Sequence, residues 1–532
     1  MPGTTGTTGT TGTNGRNRMR LLPSAALLIS GLLAGGWLMQ RAVAGGSSTA
    51  SARDGSRLLG AVMQRVRERY VEQVSEEELW EKATAGMLAG LGDPNSAYLT
   101  PERLERLNRV AANSYRGVGL QVDVRDGWVT VTQPRAGTPA ERAGLQVGDR
   151  LVEVDGRSMA GWTVEEARNA LQGPLGSKVD LVAERAGSRM RMVLERADIR
   201  RSAVARATLL AGGVGYLAVT TFSDSTAAEV VATVDSLRKL GATSLILDLR
   251  GNPGGLLTQG VEVADLFLSP GQLIVTTKGR VPQANAVYVD ETAERWSSLP
   301  VAVLVNGGTA SAAEIVAGAL QDHDRALVMG RVTYGKGSAQ AVYPLDNGAA
   351  LKLTNARWFT PLGRSIEVAA VGEERLADAD TARPVFRSAA GRAILGGGGI
   401  VPDMIAGDSV PDRAERRFYA ELGAGVPEWR ALVADEAASL VRSGAVQDSM
   451  FSVLPAWRAR LRSDVMRKGL KLSVTTYDEV PALIERELGR EIARQAFGVP
   501  FQLRRQVRND AVVQRAAEVL RKAKGPKEVF AE

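Results

Sequence analysis

The sequence predicts a multidomain chain of mixed α+β and α/β class. It has a helical N-terminal segment, a small β-barrel-like domain, an α/β core and a helical C-terminal region. Three observations predict it. Apolar residues recur at helical spacing between Ser56 and Leu91 and again from about Val410 onward. Short β-like runs separated by turns fill residues 114–199. After Asp198, apolar runs alternate with helix-like stretches, the pattern of an α/β layer. The 532 residues allow three or four domains and a large buried core. The divisions fall at 1–45, 46–113, 114–199, 200–409 and 410–532.

Composition narrows the chemistry. With 44% hydrophobic and 23% charged residues, the chain is neither wholly disordered nor fibrous. Cysteine is absent, which excludes disulfide scaffolds, thiolate zinc sites and cysteine nucleophiles. His323 is the one histidine, so a multi-histidine metal site is excluded and any Ser–His–Asp triad would pass through that ring. The 66 basic residues exceed the 59 acidic ones by seven and are spread along the chain without a base-stacking aromatic cluster. That reads as a solvated surface and not as a nucleic-acid interface.

The N-terminus carries an address. Residues 3–15 place glycine at every third position without proline, a flexible tail. Arg16, Arg18 and Arg20 then precede an uncharged, apolar-rich run over residues 21–40. This is the pattern of a secretory signal or of a single membrane anchor. Ala42-Val43-Ala44 offers a small-residue cleavage site, while the length of the run and Trp37 suit an uncleaved anchor; Met19 would open a more conventional signal. Either way the bulk of the chain is expected to be exported, with membrane association through residues 21–40 if they are retained.

Between Ser56 and Leu91 two helices fit, the second with Ser75 as N-cap and Glu78 as its capping-box partner. Gly92-Asp93-Pro94-Asn95 ends it, and a short helical stretch runs to about Asn113. The β-like runs that follow are Gly119–Val124, Trp128–Thr132, Arg150–Val154, Lys178–Ala183 and Arg189–Leu194, interrupted by a helix over Thr163–Leu171. Residues 136–156 (AGTPAERAGLQVGDRLVEVDG) resemble PDZ domains, and Tyr115-Arg116-Gly117-Val118-Gly119-Leu120 resembles the PDZ carboxylate-binding loop. Glycines let consecutive N–H groups converge on a terminal carboxylate, and the next strand adds the peptide as an extra strand. A PDZ that only packs and binds nothing is the plainer alternative.

In the α/β region Val214–Val219, Ser244–Leu249 and Val301–Val305 are apolar runs, with a helix over Thr226–Leu240 and another over Ala310–Gln321. Later strands fall at Ala326–Met329, Ala339–Tyr343 and Leu351–Phe359. Beyond Val410 the chain is mostly amphipathic helix, and Arg504, Arg505 and Arg508 read as a solvated face.

Three loops hold chemistry-bearing residues. Asp248-Leu249-Arg250-Gly251-Asn252-Pro253-Gly254-Gly255 leaves a buried strand; its glycines either expose N–H groups to a developing oxyanion or merely form a tight turn. In Thr309-Ala310-Ser311-Ala312-Ala313-Glu314, Ser311 is either a helix N-cap or a nucleophile on a sharp turn beside the positive end of a helix, with the Ala312 N–H completing an oxyanion hole. In Thr333-Tyr334-Gly335-Lys336-Gly337-Ser338-Ala339-Gln340, Lys336 lies between two glycines, ordinarily an exposed position, but it precedes an alternating strand.

Together these motifs resemble the carboxyl-terminal processing proteases, tail-specific serine peptidases with a Ser–Lys dyad. LGDPNSAYLT (91–100), the PDZ segment, DLRGNPGG, residues 305–330, TYGKGSAQ and GGGGIVPD (396–403) stand in family order, covering roughly Leu58 to Asp408. The resemblance implies a crotonase/Clp-like α/β protease core behind the PDZ domain, in a bacterial periplasm or cell envelope. It makes Ser311 the nucleophile, Lys336 the general base and Gln340 the residue that orients the lysine. Gly255 (or Gly254) and Ala312 would supply the oxyanion N–H groups, and Arg116, Gly117, Val118, Gly119 and Leu120 the peptide-binding loop. No metal or cofactor is implied. A lysine amine, with a reference pKa near about 10.4, becomes a useful base when burial disfavours its ammonium form; Ser–Lys pairs are a variant of triad logic. His323, twelve residues on along a helix, would lie about 18 Å away along the axis and reads as structural.

Two departures stand out. Gln172 occupies a place in Leu171-Gln172-Gly173 where the family is expected to carry an arginine linked to substrate-coupled switching. An insertion of some thirty residues separates Gly363-Arg364-Ser365-Ile366 from GGGGIVPD. The expected function is thus an exported endopeptidase that engages protein or peptide C-termini. The alternatives are a catalytically silent PDZ scaffold and a small-ligand binder on the same core. A regulatory partner, a homo-oligomer and the sign of any PDZ control stay open.

Overall fold

A computed structural model describes residues 49–125, 127–368, 383–406 and 413–531. The expected tail and leader or anchor at 1–45 lie outside these, as do residues 369–382 of the insertion after Ile366. Among the described residues no helix is long and apolar enough to cross a membrane. The chain divides into two compact units, residues 1–87 and 88–532.

The described residues of the first unit form a helix pair. Thr49–Arg69 is followed by Glu76–Ala89, the latter running just past the division. Ser75 Oγ accepts from Glu78 N at 3.1 Å, as its N-cap position requires.

In the second unit, strand Ala97–Leu99 and helix Pro101–Ala111 lead into the PDZ-like region. Strands Leu120–Arg125, Trp128–Pro134, Arg150–Val154, Lys178–Arg185 and Ser188–Glu195 pair antiparallel in that order, and Arg157–Ser158 adds to the third. Helix Val164–Leu171 is closed by a Thr163/Glu166 capping box, which satisfies otherwise orphaned amides. Val129, Val131, Leu151, Leu171 and Leu181 form its buried core. Ser114–Gly117 pairs with Ala197–Arg200 and brings the two ends of the region together.

The core is a six-stranded sheet in the order Val204–Leu210, Val214–Val219, Ser244–Asp248, Val301–Val305, Leu327–Gly330, Met404–Ile405. The first pair is antiparallel and the rest parallel. The four inner strands are buried throughout, which is why they read as unbroken apolar runs. Helices Thr226–Lys239, Leu257–Asp265 and Ala312–Asp322 contribute to the core on one face, with Phe222, Phe267 and Trp296. A second sheet joins Ala97–Leu99, Ala350–Phe359, Leu273–Gly279 and Ala286–Val289, with Ser338–Pro344 paired to the long second strand.

Helices Arg413–Leu422, Val426–Arg442, Pro455–Arg467 and Pro481–Phe497 bury their own cluster, including Phe418, Trp429, Leu461 and Leu488. The chain then returns to the six-stranded core. Val512, Val513, Ala516, Val519 and Leu520 of helix Ala511–Lys522 pack with Tyr216, Ile246, Leu304 and Met329, covering the sheet's other face. The expected solvated face at 504–508 holds for the exposed Arg504 but not for Arg505. Arg505 packs over the Phe451 ring at 4.3 Å and donates to its carbonyl at 2.9 Å. Arg508 reaches Met450 Sδ at 2.9 Å. Arginine stems bury readily while keeping polar contacts, so basic residues on a helix are weak evidence of exposure.

Candidate active site

The three loops converge at the C-terminal ends of parallel strands, where an open α/β sheet leaves its crevice. Ser311 stands between strand Val301–Val305 and helix Ala312–Asp322 with φ 54° and ψ −120°. An ordinary N-cap is extended, and a non-glycine residue at positive φ costs roughly 1–3 kcal/mol. The first helical amides bond to the Ser311 carbonyl, Glu314 N at 2.8 Å and Ile315 N at 3.0 Å. The strained backbone, and not the hydroxyl, therefore satisfies them.

Glu314 ties this turn to the lysine loop. Its fully buried carboxylate accepts from Ser311 N (2.7 Å) and Lys336 N (3.0 Å) on one oxygen, and from Gly335 N (2.7 Å) and Thr333 Oγ1 (2.5 Å) on the other. Burial pushes this carboxyl up, but the four donors oppose that. Three of the partners are backbone N–H groups that can only donate and so favour the ionised form, while the Thr333 hydroxyl can donate or accept.

Lys336 is half-buried, and its carbonyl accepts from Trp358 Nε1 at 3.0 Å. Burial and then the Lys352 ammonium push its amine below the usual lysine range, against the opposing pull of Glu367, Asp93 and Glu314. Gln340 lies on the strand Ser338–Pro344, where its amide donates to Ser338 Oγ (3.1 Å) and Thr354 Oγ1 (3.2 Å).

The glycine loop presses against Ser311. A Cβ on Gly254 (φ +93°) would lie 2.7 Å from Ala310 O, 2.8 Å from Ser311 Cβ and 2.9 Å from Ala312 N. The Gly254 N–H is spent on Asn252 Oδ1 at 2.8 Å. The Gly255 N–H, by contrast, has no hydrogen-bond partner among the described residues, and Ala312, the first residue of its helix, has no intrahelical acceptor. Asn252 O also accepts from Ala310 N (2.9 Å), and Asn306 Oδ1 from Gly251 N (2.9 Å). His323 caps the opposite end of the Ala312–Asp322 helix, with Nε2 2.6 Å from Leu273 O and Nδ1 3.4 Å from Gln272 Nε2.

Comparison with known proteins gives this arrangement a family. Peptidase family S41 matches residues 213–373, a PDZ domain residues 130–185, and the activating protease CtpB N-terminal domain residues 41–103. The carboxy-terminal-processing protease of Bartonella bacilliformis is 38% identical over 318 residues, 58% of this chain and 71% of its own length. The chain belongs to the carboxy-terminal processing proteases of family S41. Carboxy-terminal processing protease CtpA of Bacillus subtilis is 35% identical over 58% of this chain, which spans 66% of that relative's length. A photosystem II D1 C-terminal processing protease of known structure aligns over 57% of this chain and 83% of its own at 33% identity, with a TM-score of 0.33.

In this S41 peptidase the PDZ region holds a groove of about 520 Å³ between strand Leu120–Arg125 and helix Val164–Leu171. Val118, Gly119 and Leu120 line it; a Cβ on Gly119 (φ +85°) would collide with Thr138 at 2.3 Å. Gly117 and Arg116 lie in the paired strand instead, and the Arg116 guanidinium is engaged by Glu105 and by Asp198 at 3.5 Å. The groove's cations are Arg135, Arg168 and Arg201. Arg135 Nε is buried without a hydrogen-bond partner, and Arg135 N bonds Gly119 O at 2.9 Å, at the loop end of the groove. Gln172, at the C-cap of the groove helix, also lines it.

Sequence reasoning overlooked Glu314, Asn252 and Arg135. Glu314 had a signal, since serine followed three residues later by glutamate is capping-box spacing. Asn252 and Arg135 act through side chains whose partners only the fold reveals.

Proposed function

We propose that this S41 peptidase is an exported serine endopeptidase that binds the C-terminus of a protein or peptide in its PDZ groove and cleaves through an acyl-enzyme formed on Ser311. The observation that carries the reading is the shared Glu314 carboxylate: one oxygen receives the amides of both Ser311 and Lys336, so the two loops hold a fixed relation.

Neutral Lys336 takes the Ser311 hydroxyl proton as Oγ attacks the scissile carbonyl. The developing oxyanion receives the N–H groups of Gly255 and Ala312, and the helix start favours its negative charge. Lys336 then passes the proton to the leaving amine, breaking the peptide C–N bond and leaving the ester on Ser311. Water, deprotonated by the same lysine, hydrolyses that ester. Half-burial of Lys336 supports this role, because a fully hydrated lysine would stay protonated near neutral pH. The Arg135-lined groove supports binding of a free carboxylate, with peptide pairing along strand Leu120–Arg125. Export rests on Arg16, Arg18, Arg20 and the apolar run at 21–40. The match to an activating protease's N-terminal domain supports a regulatory partner.

The test is digestion of a mixed protein pool by wild type and Ser311→Ala, with the new termini mapped. Wild-type-specific internal cuts in apolar-ended proteins are expected. Identical termini from both enzymes would refute the proposal.

A further inference from the structure

The chemistry above uses no residue beyond 410, yet one of them reaches the catalytic loops. Asp510 is the N-cap of helix Ala511–Lys522, accepting from Val512 N at 3.0 Å and Val513 N at 3.1 Å. The same carboxylate accepts from Arg250, Nη2 to Oδ2 at 2.9 Å and Nη1 to Oδ1 at 3.3 Å. Asp248 also grips Arg250, with Nε to Oδ1 at 2.9 Å and Nη2 to Oδ2 at 2.7 Å, and takes the Tyr216 hydroxyl at 2.7 Å. The Arg250 side chain is only 13% exposed beside Asp248 and Asp510. Gly251, Asn252 and Gly254 follow directly, each amide or side chain already tied to Asn306, Ala310 or Asn252. Little slack separates Arg250 from Gly255.

We propose that Asp510 is a positioning residue for the loop carrying Gly255: it holds Arg250 from the helix side while Asp248 holds it from the strand, making the last helix part of the active-site scaffold. The proposal rests on the Ser311–Lys336 reading, in which the Gly255 N–H receives the oxyanion. Bonds between guanidinium and carboxylate are the strong, directional kind, and removing one of them weakens the hold on a largely buried arginine. Arg250 then shifts toward its remaining partners and draws the short loop with it. A displacement of about 1 Å costs roughly a hundredfold in rate.

Capping and positioning separate experimentally, because serine caps as well as aspartate but is too short to reach Arg250. Full-length Asp510→Ser, Asp510→Asn and Asp510→Ala are compared with wild type for kcat, KM and urea midpoint on one peptide substrate. Asp510→Ser is expected to lose roughly tenfold or more in kcat, with KM near wild type and a midpoint lowered less than in Asp510→Ala. Asp510→Asn, which keeps an acceptor for Arg250, should recover much of that loss, and Asp510→Ala should lose both kcat and stability. Wild-type kcat in Asp510→Ser would overturn the proposal, as would a kcat loss that merely tracks the midpoint across all three variants. Ser311→Ala in the same assay separates the two readings: if it stays active the dyad reading fails, whereas if it is dead and Asp510→Ser is normal, only the role of Asp510 fails.

Discussion

Replacing Glu314 by glutamine keeps size and shape but exchanges one acceptor oxygen for an NH2 group. Four donors converge on the carboxylate, two per oxygen, at 2.5–3.0 Å. If the amide oxygen faces Ser311 N and Lys336 N, the NH2 faces Gly335 N and Thr333 Oγ1. The threonine hydroxyl can rotate to accept, but Gly335 N is left unpaired in a buried site. The opposite orientation strands both Ser311 N and Lys336 N. One unsatisfied buried donor costs about 1–3 kcal/mol, and the retained bonds lose their charge assistance, so the total is about 2–4 kcal/mol. Because the strained Ser311 turn and the lysine loop both hang on this group, kcat should fall roughly ten- to a hundredfold. Urea unfolding and steady-state cleavage of one fluorogenic peptide measure the two effects. A Glu314→Gln enzyme with wild-type midpoint and kcat would refute the reasoning and mean that Glu314 is neutral or that the loops hold without it.

The remaining predictions address base, oxyanion loop and groove. kcat/KM should rise with pH as Lys336 loses its proton, along a limb below the ordinary lysine range. Glu367→Gln removes a charge that raises the Lys336 pKa and should move the limb to lower pH, whereas Lys352→Gln removes one that lowers it and should move the limb up; shifts of the same sign would contradict the assignment. Gly254→Ala forces a Cβ to within 2.7–2.9 Å of the Ala310–Ala312 backbone and Ser311 Cβ at φ +93°, so kcat should drop by about a hundredfold or more; near-normal activity would mean the loop does not abut Ser311. In the groove, amidating an apolar-ended peptide and replacing Arg135 by glutamine should each weaken binding measured by anisotropy, while Arg116→Gln leaves the Kd unchanged. A Kd that depends on Arg116 instead would show that its pairs with Glu105 and Asp198 give way to ligand.

Legibility followed locality. Val214–Val219 and Val301–Val305 stood out because both faces of an inner parallel strand are buried, leaving no polar alternation. Strands Leu273–Gly279 and Ala286–Val289 escaped because they lie in a peripheral sheet, the first mixing buried and exposed positions and the second wholly half-buried or exposed. Ala97–Leu99 is three residues long and finds its partner at Ala350–Lys352, a pairing without a local sign. At the site, Ser311, Lys336 and the Gly254-Gly255 pair were visible as motifs. The motif did not distinguish Gly254 from Gly255, since that depends on where the Asn252 side chain points. Within the expected peptide loop, Arg116 and Gly117 lie in the strand pair that joins the region's ends, a pairing with no local sign, while Val118, Gly119 and Leu120 line the groove. The helix Ala511–Lys522 was legible as amphipathic, but not as a cover for a sheet that begins about three hundred residues earlier, because an apolar stripe does not specify its partner.

Active-site labelling tests the central claim most directly. The full-length chain, His323→Ala and Lys336→Ala are treated with a fluorophosphonate, and the adduct is located by peptide mapping. The account predicts one adduct, on Ser311, formed by wild type and His323→Ala and lost in Lys336→Ala. Labelling at another serine, or labelling that requires His323 and not Lys336, would contradict it.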